Sequence, residues 1–329
     1  MRVFGWITTA GAVLAASSWL APDLSAQPQQ SQQPQAQQPQ QRGYGTRSGE
    51  PPRGPRGGIP SGTPAPAVGN GGEPAFFSPG PPHVPGGPVK RGPDGHPDIQ
   101  GFWNAANDGG AVFEIQNHPT ARPGIPPGRG AIVDPRDGYL PYMNWAAAKA
   151  KSNYEHDLAA EPELHCYQSG IPKQMYDQFG FQVLQPPGYV VMTWEFMHAY
   201  RIIPTDGRPH IADDIKLFEG DSVGRWQGDT LVVDTTNLNG RTWLDTVGNF
   251  HSDAEHVIER FTPVDSNTIK YEANVEDDKV FVRPWKIAMD FYRNTEPNYE
   301  QMEYACIEGN QDIQHYTKDK GGAADVKLK

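Results

Sequence analysis

From Phe181 to Cys306 the chain alternates short β-branched and aromatic runs with explicit turns, without crossover helices. The sharpest instance is Gly224-Arg225-Trp226-Gln227-Gly228-Asp229-Thr230-Leu231-Val232-Val233-Asp234-Thr235. A strand ends in a Gln-Gly-Asp reversal and a β-branched strand follows at once, which is a hairpin pattern. Strand candidates are residues 188–196, 199–204, 215–226 in part, 230–236, 254–263, 268–275, 280–292 and 299–306. Their turns are Thr205-Asp206-Gly207, Gln227-Gly228-Asp229, Val264-Asp265-Ser266-Asn267 and Glu276-Asp277-Asp278. Short connections join antiparallel neighbours. The expectation is a mainly β fold: an antiparallel up-and-down barrel of about eight strands, lipocalin-like, with an open sandwich as the alternative.

The barrel is expected over residues 181–310, behind an irregular and helical part at 93–180. One helix is expected from Met143 to about Glu161, with Tyr142, Trp145, Ala146, Ala150 and Tyr154 along one side, and a helical turn at 172–179. Residues 1–26 read as a cleaved secretory signal: Met1-Arg2, an apolar run over 3–20, and Ala26 at the cleavage point. That run is too short and too diluted by Thr and Ser for a membrane span. Residues 27–92 form a Gln/Pro/Gly-rich arm. Seventeen of the 33 prolines fall between 27 and 100, almost without aliphatic residues, so the stretch cannot bury enough surface to offset its ordering entropy. Residues 311–329 read as a flexible tail. The address is therefore periplasmic or extracellular. There the two cysteines, Cys166 and Cys306, pair most simply as one disulfide.

Segments spread over most of the domain carry a family resemblance. They include Gly95-His96-Pro97-Asp98, Asp134-Pro135, Gly138 to Tyr142, Asp206-Gly207-Arg208-Pro209-His210 and Gly220-Asp221-Ser222 leading into the hairpin. Trp243, Asp245, His251-Ser252, Glu259-Arg260-Phe261, Pro284-Trp285 and Glu303-Tyr304-Ala305-Cys306 continue them. This pattern resembles a family of exported bacterial proteins of soil acidobacteria and aromatic-degrading proteobacteria, with which γ-formaldehyde lyases acting on lignin-derived aromatics are associated. The resemblance implies an exported protein more than a reaction. Relatives carry a histidine after the last cysteine, where this chain has Ile307.

No Gly-x-Ser-x-Gly elbow, phosphate loop, dinucleotide fingerprint or His-Glu-x-x-His helix occurs. The net charge is −11 and no Lys/Arg cluster tracks a phosphate backbone, so nucleic acid is not the expected partner. Nothing calls for a cofactor. What remains is charge inside apolar strands. Glu195 alternates in phase with Tyr189, Val191 and Thr193, Arg201 with Ile203, and Glu259 with Val257 and Phe261. A carboxylate among apolar neighbours is costly unless paired, so Arg201 with Glu195 or Glu259 is the economical pairing. It is either a buried ion pair fixing register or a polar cluster in a hydrophobic cavity.

In the catalytic version Glu195 or Glu259 is the base, Arg201 and Tyr271 steady an oxyanion, and His251 is the acid. Trp194, Tyr200 and Trp285 would line the pocket for a small hydrophobic, aromatic ligand. His198, His210 and His251 with Asp206 or Asp245 make only a weak metal set, lacking ligand spacing. Ser252, His251 and Asp245 form a triad in composition only. Three classes stay open: a cofactor-independent lyase or isomerase, a non-catalytic small-molecule binder, and an envelope scaffold.

Overall fold

The computed structural model describes residues 83–106, 110–119, 128–177 and 179–306. The expected signal peptide, the arm as far as residue 82 and the expected tail lie outside the described residues. Residues 83–92, the end of the expected arm, pack on the barrel. His83 Nε2 is 3.1 Å from Thr268 Oγ1, its ring stands 4.3 Å from that of Tyr292, and Gly87 N–H donates to Ser266 Oγ (3.0 Å).

The chain is mostly β. Its strands are β1 (Gly101–Ala105), β2 (Ile132–Asp134), β3 (Phe181–Leu184), β4 (Tyr189–Trp194), β5 (Tyr200–Pro204), β6 (Asp221–Gln227), β7 (Thr230–Thr236), β8 (His256–Asp265), β9 (Thr268–Glu276) and β10 (Trp285–Arg293). Nine follow one antiparallel path, β5-β4-β3-β1-β10-β9-β8-β7-β6, and β2 pairs with β10 beside it. The path curls into a nearly closed barrel, as the strand and turn pattern predicts. The hairpin β6–β7 turns through Gly228 and Asp229, with Gly228 at φ +60°, the left-handed position such a tight reversal demands.

Two features were hidden in the sequence. The wall begins at β1, not at residue 181: Trp103 pairs with Phe181 on one side and Arg293 on the other. A five-residue strand between turns has too few alternations to announce itself. Residues 299–306 are not a strand but cross the outside of the wall, where Gln301 accepts from Thr193 Oγ1 (2.9 Å) and donates to Thr193 O (2.8 Å).

Short helices precede β3: α1 (Gly110–Phe113), then α2 (Asn144–His156), with 3-10 turns at Leu158–Ala160, Pro162–His165 and Lys173–Met175. The long helix thus stops five residues before Glu161. It buries Ala146 and Asn153, while Trp145 stays 53% exposed.

Alternation fills the interior. Val190, Met192 and Trp194 of β4, Val257 and Phe261 of β8, and Trp285, Ile287, Met289 and Phe291 of β10 all point inward and are buried. Phe291 lies 5.1 Å from Phe181 and 4.9 Å from Tyr271 between ring centres. Burying each such side chain contributes about 1.5–3 kcal/mol.

The path's two ends, β5 and β6, lie side by side without a shared hydrogen-bonded ladder. Gly224 permits this, since a Cβ there would meet Ile203 Cγ2 at 2.9 Å. We call this flank the seam. Cys166 and Cys306 form the expected disulfide, with Cα atoms 5.6 Å apart across 140 residues of sequence. Among the described residues no helix is long and apolar enough to cross a membrane.

Candidate functional site

Three of the expected site residues meet inside the barrel. Arg201 on β5 reaches across the seam to β6, β7 and β8. Its Nε donates to Ser222 Oγ (2.8 Å), Nη2 to Thr235 Oγ1 (2.7 Å) and to Glu259 Oε2, and Nη1 to Glu259 Oε1 (3.0 Å). The remaining N–H faces Met175 Sδ at 3.8 Å. Tyr271 on β9 donates its hydroxyl to Glu259 Oε1 (3.0 Å).

Arg201, Glu259 and Tyr271 are 3%, 0% and 1% exposed. Burial opposes the Arg201 charge, yet the Glu259 carboxylate beside it holds its pKa above the ordinary value. Burial, and then the Glu259 charge, push the Tyr271 phenol well up, so it stays a donor. All five guanidinium N–H groups have an acceptor. As placed, the cluster ties five strands together, β5 to β9, and has no idle donor for an incoming anion.

The other expected residues lie elsewhere. Glu195 lies just past the end of β4, heading the 3-10 turn Phe196–His198, and accepts the Met302 N–H (3.1 Å). Tyr200 is 62% exposed on the outer wall, whereas Trp194 and Trp285 are buried in the core. His251 is buried between Thr242 Oγ1 (2.7 Å from Nε2) and Glu255 Oε2 (2.7 Å from Nδ1). Burial lowers its pKa but Glu255 more than compensates, so it is raised overall. Ser252 turns to Asp277 (Oγ to Oδ1, 2.9 Å), and Asp245 receives the backbone N–H groups of Ile115, Val247 and Asn249. The triad composition is not assembled. Among the described residues no group of three or more His, Cys, Asp or Glu is arranged to hold a metal ion.

Sequence reasoning missed a second buried cluster at the same end of the barrel. Lys173, 1% exposed, is 2.9 Å from Glu161 Oε1 and 2.7 Å from Glu163 Oε1. Glu219 accepts the Gly170 N–H (3.2 Å) on one oxygen, and its other oxygen has no hydrogen-bond partner. Burial pushes the Glu219 carboxyl up to about 7, against the pull of that N–H and of Arg201. These residues sit in irregular connections, where no period marks them.

One cleft opens outside the barrel, beside α2, with a volume of about 420 Å³. Leu140, Pro141, Ala147, Ala150, Val247 and Val282 form its apolar walls, Gln116, Tyr142 and Asn249 its polar floor, and Lys151 and Tyr154 its rim. The floor is tied together. Gln116 Nε2 donates to Asn249 Oδ1 (3.3 Å), Tyr142 Oη donates to Phe250 O (3.2 Å), and Asn249 Nδ2 donates to Asp245 Oδ2 (2.6 Å). Burial pushes Asp245, directly behind the floor, up to about 6 despite its donors. None of the expected site residues lines this cleft.

No protein-family model matches the sequence, and no curated protein and no solved structure is similar to it.

Proposed function

We propose that the protein is an exported small-molecule binder that holds a small hydrophobic, aromatic ligand in the cleft beside α2. One observation carries this reading: apolar walls converge on a few fixed polar groups in a space of about 420 Å³, within the usual range for ligand sites. The amide and phenol groups of Asn249, Gln116 and Tyr142 suit a ligand hydroxyl or carbonyl. Lys151 at the rim suits a carboxylate. Export draws support from the leader-like residues 1–26 and from the disulfide. The sequence resemblance to exported proteins points the same way.

A second reading, a lyase or isomerase working by proton transfer, rests on Glu219. A buried carboxyl near 7 with one unpartnered oxygen, close to Arg201 and Glu259, has the character of a proton carrier. That reading requires a ligand to reach the barrel interior, and the cleft does not lead there through any of its lining residues.

The test is mass spectrometry of small molecules retained by the purified mature protein, followed by calorimetric titration with the compounds found or with simple aromatic carboxylates. Ala147→Trp, on the exposed side of α2, fills the cleft and should abolish binding, while Glu195→Gln should leave it unchanged. Undiminished binding by the Ala147→Trp variant refutes the cleft. Turnover that disappears in Glu219→Gln while binding persists favours the enzyme.

A further inference from the structure

The connection over residues 205–220 joins the two edge strands, and its first half is fastened on both sides of the seam. Arg208 Nη2 donates to Tyr189 Oη on β4 (3.0 Å), and the guanidinium carbon lies 5.3 Å from the centre of that ring. Two residues later His210 reaches β6 and β7. Its Nδ1 is 2.7 Å from Asp221 Oδ2, and its Nε2 is 3.3 Å from Asp234 Oδ1. The Ile211 N–H donates to the same Asp221 oxygen (3.2 Å). Residues further along are held by groups that do not titrate: Asn237 Nδ2 donates to Ala212 O and Ile215 O, each at 2.9 Å.

A neutral imidazole has a single N–H. It can donate to Asp221 or to Asp234, and then turns a lone pair on the other carboxylate. Only the imidazolium has a donor for each. The charged groups facing the ring are Asp221 from β6 and Asp234 from β7, with His256 from β8 sharing Asp234 Oδ1 (2.9 Å). Within the connection Asp206 and Arg208 pair with each other (2.7 Å). Among the described residues no lysine or arginine lies within ion-pair distance of either Asp221 or Asp234.

We infer that His210 is a proton-operated clasp on the barrel's seam. Protonated, it pins residues 206–211 to the outside of β6 and β7. Deprotonated, it can keep only one carboxylate, and this strap lifts while residues 212–217 stay in place. The strap is the outer tie from β4 to β6 over the edge strand β5, and Arg201 is the inner one. Rising pH therefore loosens the outer tie alone.

The test is amide exchange of the full-length protein between pH 5 and 8, corrected for the intrinsic rate of exchange. The opening constant of residues 206–211 should rise with pH over this range, by at most about tenfold per pH unit, since one proton is released. Residues 212–217 should show no such rise. His210→Gln should abolish the slope and leave the strap open at pH 5, while His256→Gln should keep the slope. Circular dichroism of both variants checks that the barrel is intact. A flat opening constant in the wild-type protein, an unchanged slope in His210→Gln, or a slope lost in His256→Gln alone overturns the clasp.

Discussion

Replacing Arg201 by leucine removes both charged donors to Glu259 and leaves it the Tyr271 hydroxyl and a long bond from Thr235 Oγ1 (3.4 Å). Ser222 and Thr235 keep each other as partners at 3.1 Å, so the cost falls on a carboxylate that is 0% exposed. Removing one partner of a buried pair costs about 3–5 kcal/mol. A second route gives a similar figure. The stranded carboxyl can bind a proton, and at pH 7 this costs about 1.4 kcal/mol for each unit above an ordinary glutamate midpoint near 4.3, or about 4 kcal/mol.

The sign follows. In the variant the folded-state pKa lies above the unfolded one, so the penalty is present above that midpoint and shrinks towards acid, to about 1 kcal/mol at pH 5. Denaturant unfolding followed by tryptophan fluorescence at pH 5 and 7 measures it. At pH 7 the melting temperature should fall by about 8–16 °C, at roughly 2–4 °C per kcal/mol for a domain of this size. Arg201→Leu combined with Glu259→Leu should recover most of the loss. A loss below about 1 kcal/mol at pH 7, an equal loss at pH 5, or a double variant no better than the single one would refute the argument.

Glu219, held near 7 by burial, destabilises the fold once pH exceeds its unfolded midpoint, so stability should fall as pH rises from about 5 to 7 and then level. In thermal melts across that range, Glu219→Gln should match the wild type near pH 4.5 and exceed it above pH 7, by about 3 kcal/mol at most. Replacing Cys166 and Cys306 by serine opens a loop of 140 residues and should cost about 2–5 kcal/mol in denaturant unfolding. Reducing agent should shift the wild-type midpoint by the same amount.

Alternation along strands made the buried ion pair legible. Arg201 shares its phase with Ile203, and Glu259 with Val257 and Phe261, and all five point inward. The same period grouped Glu195 with Tyr189, Val191 and Thr193, but that face turns outward. A period of two separates faces without saying which is inside, and a face of Tyr, Val and Thr suits either. β1 escaped notice because its neighbours β3 and β10 come from far along the chain. Lys173, Glu219 and Glu255 escaped because irregular backbone imposes no repeat. The cleft could not be read at all: α2 and four separate connections build it, and only the folded chain brings them together.

The Cys166–Cys306 bond turns the chain from β3 to β10 into a covalent ring. Tension applied at the two ends of the protein runs through sulfur rather than through those strands. About 480 Å of contour stays shielded from load, at roughly 3.4 Å per extended residue over 140 residues. Of the barrel wall, only β1 lies outside the ring, between β3 and β10. A protein held at one end and pulled at the other would give up that strand and keep the remaining eight.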